Sequence, residues 1–225
     1  MKALDITPSP RLLSVLGDIP LQPWQCLAEL IDNSLDELER FQSPSGPANH
    51  LSVHIDYEAD AIRGDRLTVS DNGLGMELDE FERSLRAGHS GKARYGTLGL
   101  FGMGFNIATA RLGNITTVTT ATAGMKNALQ AVVDFSDLQR SESFHVPLSE
   151  VDKPTPTWSG TIVEVVLKPA MASAFSTPQA RAVIMSQLGD VYSYLLRDSV
   201  PGIGKSKLSS PLPAAIFFGD RLVTP

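Results

Sequence analysis

Apolar residues recur at helical spacing over 22–41, 77–87, 102–112 and 177–196, and these four stretches are predicted as helices. Alternating or β-branched runs over 51–57, 66–70, 115–122, 129–135, 161–167 and 215–218 predict strands. The segments 43–49, 152–159 and 201–213 are rich in proline, glycine and serine and read as loops or linkers. No internal repeat interrupts this order. Helices and strands are interspersed, with a hairpin-like strand pair in the middle. The pattern therefore fits an α+β fold, a two-layer sandwich of helices on one face of a mixed β-sheet, better than a strictly alternating parallel sheet. The expected organisation is one domain over 1–197, followed over 198–225 by a linker and an exit strand leading towards a following domain.

The first long helix carries the most chemistry. Placed at about 100° per residue, Trp24, Leu27, Ala28, Leu30, Ile31, Leu35 and Leu38 share one broad arc, with Glu29, Asp32, Asn33 and Asp36 opposite. An acidic stripe of this kind is ordinarily a solvated face. Glu29 and Asn33, however, are four residues apart and sit side by side, so a carboxylate and a neutral oxygen ligand could address one substrate. A hard cation such as Mg²⁺ takes few protein oxygens and fills its remaining positions with phosphate and water, so one Asn is enough and the carboxylate is free to act as a base.

Composition narrows the field. Residues 1–30 hold Asp5, Asp18 and four prolines, with no basic start leading into an apolar stretch, and no later apolar run approaches the roughly 20 residues of a membrane helix. A cytoplasmic protein with no membrane partner is expected. The single Cys26 excludes an internal disulfide and a cysteine-rich zinc site, and the four histidines lack metal-ligand spacing. A net charge of −6, from 19 basic and 25 acidic residues, creates no overall field for nucleic acid, and leaves local contact with it undecided.

Two glycine-rich segments follow. Asp71-Asn72-Gly73-Leu74-Gly75-Met76 leaves a predicted strand directly, where glycines permit a tight turn close to a ligand. Gly96-Thr97-Leu98-Gly99-Leu100-Phe101-Gly102-Met103-Gly104-Phe105 opens a helix, and free N–H groups at such a helix start suit phosphate. A Walker-type loop at 199–206 fails because Ser199 stands where the first glycine belongs and a helix precedes it instead of a strand. A dinucleotide fingerprint fails because Gly102-Met103-Gly104 is followed by Phe105, Asn106 and Ile107.

Taken together, Glu29-Leu30-Ile31-Asp32-Asn33, the Asp71–Met76 segment, Gly99 to Phe105, and Gly160-Thr161 before a strand resemble the GHKL superfamily in order and spacing. That superfamily includes gyrase B subunits, large heat-shock chaperones, histidine kinases, MutL and MORC proteins, and the resemblance runs from about Leu12 to Leu167. It implies ATP and Mg²⁺ as cofactors, with ATP and ADP as ligands. Glu29 then matches the residue that activates the attacking water and Asn33 the metal ligand. Asp71 matches the carboxylate that accepts the adenine amino hydrogen, with Gly75, Met76 and Thr161 beside it. A carboxylate acceptor pairs with that amino group and repels the carbonyl oxygen that guanine presents there, so ATP is favoured over GTP. Gly99, Gly102, Met103, Gly104 and Phe105 match the backbone cradle of the phosphates, and 87–98 the lid, from which Lys92, with Ser90 and Arg94, would contact phosphate.

The residue aligned with Glu29 is usually Asn in histidine kinases, so the resemblance favours an ATPase, with a kinase or a nucleotide-binding sensor as alternatives. Its flavour is nearest the MORC, chaperone and MutL group. In full-length members a following domain commonly supplies a lysine to the terminal phosphate. These 225 residues hold no such domain after Pro225, so slow or partner-dependent turnover is expected, with ATP driving a conformational switch or the association of two copies.

Overall fold

The structure is a computed structural model that describes residues 4, 11–36, 51–86, 103–196 and 214–225. Among these, eight strands form one sheet: β1 (Leu51–Glu58), β2 (Arg66–Asp71), β3 (Gly113–Ala121), β4 (Ala128–Asp134), β5 (Leu148–Val151), β6 (Gly160–Leu167), β7 (Ala214–Phe218) and β8 (Arg221–Leu222). Their order is β5-β4-β3-β6-β2-β1-β7-β8. Every neighbouring pair is antiparallel except β1 and β7, which run parallel, so the sheet is mixed as the interspersed pattern requires. The helices are α1 (Arg11–Leu16), α2 (Pro23–Leu35), α3 (Leu78–Leu85), α4 (Gly104–Leu112), α5 (Phe135–Ser141), α6 (Pro169–Ala172), α7 (Pro178–Val191) and α8 (Ser193–Leu196).

Alternation along the strands decides which face the helices cover. Leu51, Val53 and Ile55 of β1, Leu67 and Val69 of β2, Val165 of β6 and Ile216 of β7 are buried, and they form one core with Leu27, Leu30, Ile31 and Leu35 of α2, Ala108 and Leu112 of α4, and Ile184 and Leu188 of α7. The same side of β3 and β4 packs Val118, Leu129 and Ala131 against Phe81 of α3, and Val133 against Ala110 and the α5 residues Phe135 and Leu138. The intervening residues, such as His54, Asp56 and Val132, are exposed on the opposite face. Burying one such leucine stabilises the fold by roughly 1.5–3 kcal/mol, which is why a period of two in the sheet and 3.6 in the helices specifies a single mutual orientation.

Helix α2 begins where Pro23 provides a preset φ and Gln25 turns back to accept the backbone N–H of Gln22 at 2.8 Å. On its predicted apolar arc Leu27, Leu30, Ile31 and Leu35 are buried, together with Cys26, Trp24 and Ala28 are partly buried, and Leu38 lies outside the described residues.

Several boundaries differ from the pattern-based expectation. The strand expected to reach Phe135 stops at Asp134, whose Oδ1 accepts the N–H groups of Ser136 and Asp137 and so starts α5. The helix expected over 177–196 breaks at Tyr192, between α7 and α8. The exposed β5, the short α1 and the two-residue β8 leave no periodic signal. Ala214–Phe218, expected as an exit strand, pairs with β1 in the sheet, and the segments 43–49 and 201–213 lie outside the described residues. Among the described residues no helix is long and apolar enough to cross a membrane.

Candidate functional site

The topology brings three strand ends together beneath α2. The last residue of β2, Asp71, lies beside the start of β6, and β6 pairs Gly160 with Ala121 and Thr161 with Thr120 at the end of β3. Asp71 Oδ1 accepts the backbone N–H of Gly73 at 2.9 Å and that of Thr161 at 3.0 Å. The hydroxyl of Ser34 donates to Asp71 Oδ2 at 2.9 Å. An ionised carboxylate offers about four acceptor positions, so three donors leave room for one more hydrogen bond. Burial pushes the Asp71 pKa above the ordinary range, while the hydrogen bonds from Gly73, Ser34 and Thr161 pull it down without cancelling that cost.

Glycines let these strand ends approach. At Gly75, φ is +69°, and a Cβ would lie 2.0 Å from the carbonyl oxygen of Ala121. At Gly160, φ is +136°, and a Cβ would lie 2.2 Å from the carbonyl oxygen of Asp71. The turn is then pinned by Thr120, which is fully buried: its Oγ1 accepts the N–H of Met76 at 3.0 Å and donates to the Gly160 carbonyl at 3.0 Å. With its single proton so used, Thr120 receives the Thr161 hydroxyl as donor at 3.2 Å. Gly75→Ala combines a positive φ with a backbone collision and should cost about 2–4 kcal/mol of unfolding free energy. Gly124→Ala, where nothing lies within 4 Å of the added Cβ, should change stability by less than about 0.5 kcal/mol. Urea denaturation of the two variants checks this, and equal midpoints would contradict the close approach at Gly75.

Helix α2 also carries the second part of the site. Glu29 is half-buried and Asn33 exposed, so the polar stripe is not uniformly solvated. The Glu29 carboxylate lies directly against Gly104, the first residue of α4, where a Cβ would stand 1.9 Å from its Oε2. A side chain at position 104 would displace the carboxylate from this seat. Burial raises the Glu29 pKa above its ordinary 4.5, and the like charge of Asp32 raises it further. Met103, at the N-cap of α4, makes no side-chain hydrogen bond to the first turn, whose leading N–H groups have no partner within the helix itself. Met103 and Phe105 spend their side chains on packing: Met103 against the cluster around Ala110 and Phe135, Phe105 between the main core and the cluster of Phe81. What these two residues offer a ligand is backbone.

The structure thus joins Asp71, Gly75, Met76 and Thr161 in one network, sets Glu29 on Gly104, and links the two through α2. Lys92, Gly99, Gly102 and the expected lid over 87–98, with Ser90 and Arg94, lie outside the described residues. Sequence reasoning overlooked Ser34 and Thr120, because each is tied to its partners only by the tertiary fold. The donor set fits an adenine nucleotide and magnesium: a half-buried carboxylate with a spare acceptor position, an exposed neutral amide oxygen on Asn33, and the backbone N–H groups of the first turn of α4.

The profile of the family described as histidine kinase-, DNA gyrase B-, and HSP90-like ATPase matches residues 21–161. The chain is 31% identical over 143 residues to Protein MICRORCHIDIA 7 of Arabidopsis thaliana, covering 60% of this chain and 19% of that protein. It is 33% identical over 118 residues to the chaperone protein HtpG of Frankia casuarinae, covering 44% and 18%, and 30% identical over 131 residues to ATPase morc-1 of Caenorhabditis elegans, covering 58% and 14%. The chain therefore spans less than a fifth of the length of each of these relatives.

Proposed function

Since this chain belongs to the family of histidine kinase-, DNA gyrase B-, and HSP90-like ATPases, we propose that it binds ATP with magnesium and hydrolyses it, with Glu29 as general base. The observation that carries this reading is the seat of the Glu29 carboxylate against Gly104 at the start of α4, with Glu29 carried by α2, the helix whose Ser34 fixes Asp71. Asp71 accepts the adenine amino hydrogen in its free acceptor position, with Gly75, Met76 and Thr161 around it. Asn33 holds the metal. The backbone of Gly99 and of Gly102 to Phe105 receives the phosphates, and Lys92 contacts them from 87–98. Magnesium, when bound, neutralises charge on the phosphate oxygens.

Glu29 removes a proton from water as the water oxygen bonds to the terminal phosphorus and the bond from that phosphorus to the ADP oxygen breaks. Residues 1–197 form the nucleotide-binding unit in this reading, and β7 and β8 within 198–225 extend its sheet beside β1. Because one helix supports both the base and the adenine-reading carboxylate, nucleotide state is transmitted through α2 to drive a conformational or dimerisation switch.

The test is the pH dependence of single-turnover hydrolysis at saturating MgATP. A base works only when ionised, and burial and Asp32 both hold Glu29 protonated to higher pH than usual. The rate should therefore rise with pH through an inflection above 4.5. Glu29→Gln should remove that inflection together with most of the rate. Absence of turnover at every pH would refute hydrolysis, and a wild-type rate independent of pH would refute Glu29 as the base.

A further inference from the structure

Tyr192 stands where the helix expected over 177–196 breaks, with φ −94° and ψ 12° at the junction of α7 and α8. The residue is only 3% exposed, yet its hydroxyl reaches two acceptors on α2: Asp32 Oδ1 at 2.6 Å and the carbonyl oxygen of Ala28 at 3.0 Å. Ala28 and Asp32 bracket Glu29 on a single helical turn. One hydroxyl proton shared between a charged and a neutral oxygen favours the charged one, and the 2.6 Å contact is in the range of a charge-assisted hydrogen bond. Such a bond withdraws charge from Asp32, the neighbour whose field Glu29 feels, and fixes the turn that carries Glu29 towards Gly104.

We infer that Tyr192 is a positioning residue for hydrolysis, locking the Ala28–Asp32 turn of α2 so that Glu29 keeps its seat against Gly104; this rests on the ATPase reading above. A tyrosine that served only to fill the core would be replaced by phenylalanine without consequence, because the ring is retained. If the hydroxyl aims the base, its loss slows the chemical step and spares binding, since small displacements of a reacting group cost rate far more than affinity.

Tyr192→Phe in the whole chain is expected to bind MgATP within about two-fold of wild type by calorimetry and to hydrolyse it about ten-fold more slowly in single turnover. Adding Tyr192→Phe to Asp32→Ala should slow the reaction less than Tyr192→Phe slows the wild type, because the charged acceptor of the hydroxyl is already gone. In the nucleotide-free chain the amide resonance of Gly104 should shift in Tyr192→Phe, reporting the moved carboxylate without reference to activity. An unchanged rate and an unchanged Gly104 resonance overturn the inference, as does a loss of affinity equal to the loss of rate, which marks a merely structural role. Failure of the wild-type chain to hydrolyse ATP overturns the ATPase reading and this inference with it. A hydrolysing wild type matched by an equally fast Tyr192→Phe overturns this inference alone.

Discussion

Replacing Glu29 by alanine is expected to leave MgATP affinity nearly intact and to slow single-turnover hydrolysis by about 10²–10⁴-fold, the usual contribution of a general base. The two effects separate because Glu29 acts on the water and makes no contact that the ground-state nucleotide needs. Asn33, one turn further along α2 and exposed, is expected to behave differently. Asn33→Ala removes the neutral oxygen ligand, so magnesium-dependent affinity and rate should fall together. If both residues merely lay on a solvated stripe, each substitution would change stability by less than about 0.5 kcal/mol and leave nucleotide binding untouched. Calorimetry with and without magnesium, paired with single-turnover hydrolysis, resolves the cases. Normal hydrolysis by Glu29→Ala would remove the base assignment and leave only nucleotide binding.

Asp71→Asn should weaken ATP binding by about 1–3 kcal/mol, or roughly 5- to 150-fold, and should erode discrimination against GTP. Three donors converge on this carboxylate: the N–H groups of Gly73 and Thr161 on one oxygen and the Ser34 hydroxyl on the other. An asparagine has a single carbonyl oxygen, so if that oxygen keeps the two backbone donors, its amide turns two hydrogens towards Ser34 and the adenine amino group. An acceptor position becomes a donor position, and adenine meets a like partner. The Ser34 hydroxyl can rotate and donate elsewhere, so the loss should fall on binding more than on folding. Competition between ATP and GTP for the wild-type and variant chains measures the effect, with urea denaturation as the control on stability. Equal affinity of the wild-type chain for ATP and GTP would show that Asp71 does not read the base.

How the chain divides between local and long-range information follows from contact distance along the sequence. The amphipathic arc of α2, the alternation in β1, β2, β3 and β6, and the glycine turn after Asp71 are legible because each depends on residues a few positions apart, where periodicity and backbone freedom act directly. These were enough for the mixed sheet with its helix layer and, through four motifs in order, for the family. α5 escaped because its start depends on Asp134 capping two N–H groups at the end of a strand, and β5 because it is an exposed edge defined only by its pairing with β4. The support around the candidate site is longer-range still. Ser34 meets Asp71 across 37 positions, Thr161 meets Asp71 across 90, and Tyr192 meets Asp32 across 160. The half-burial of Glu29 belongs with these, since it arises where α4 crosses α2 and Gly104 has no side chain to keep the carboxylate in water. Desolvation and a hydrogen-bond partner from a distant element are properties of the packed state. Residue types and spacing could nominate Glu29, Asn33 and Asp71, but only packing sets the environment and polarity in which each side chain acts.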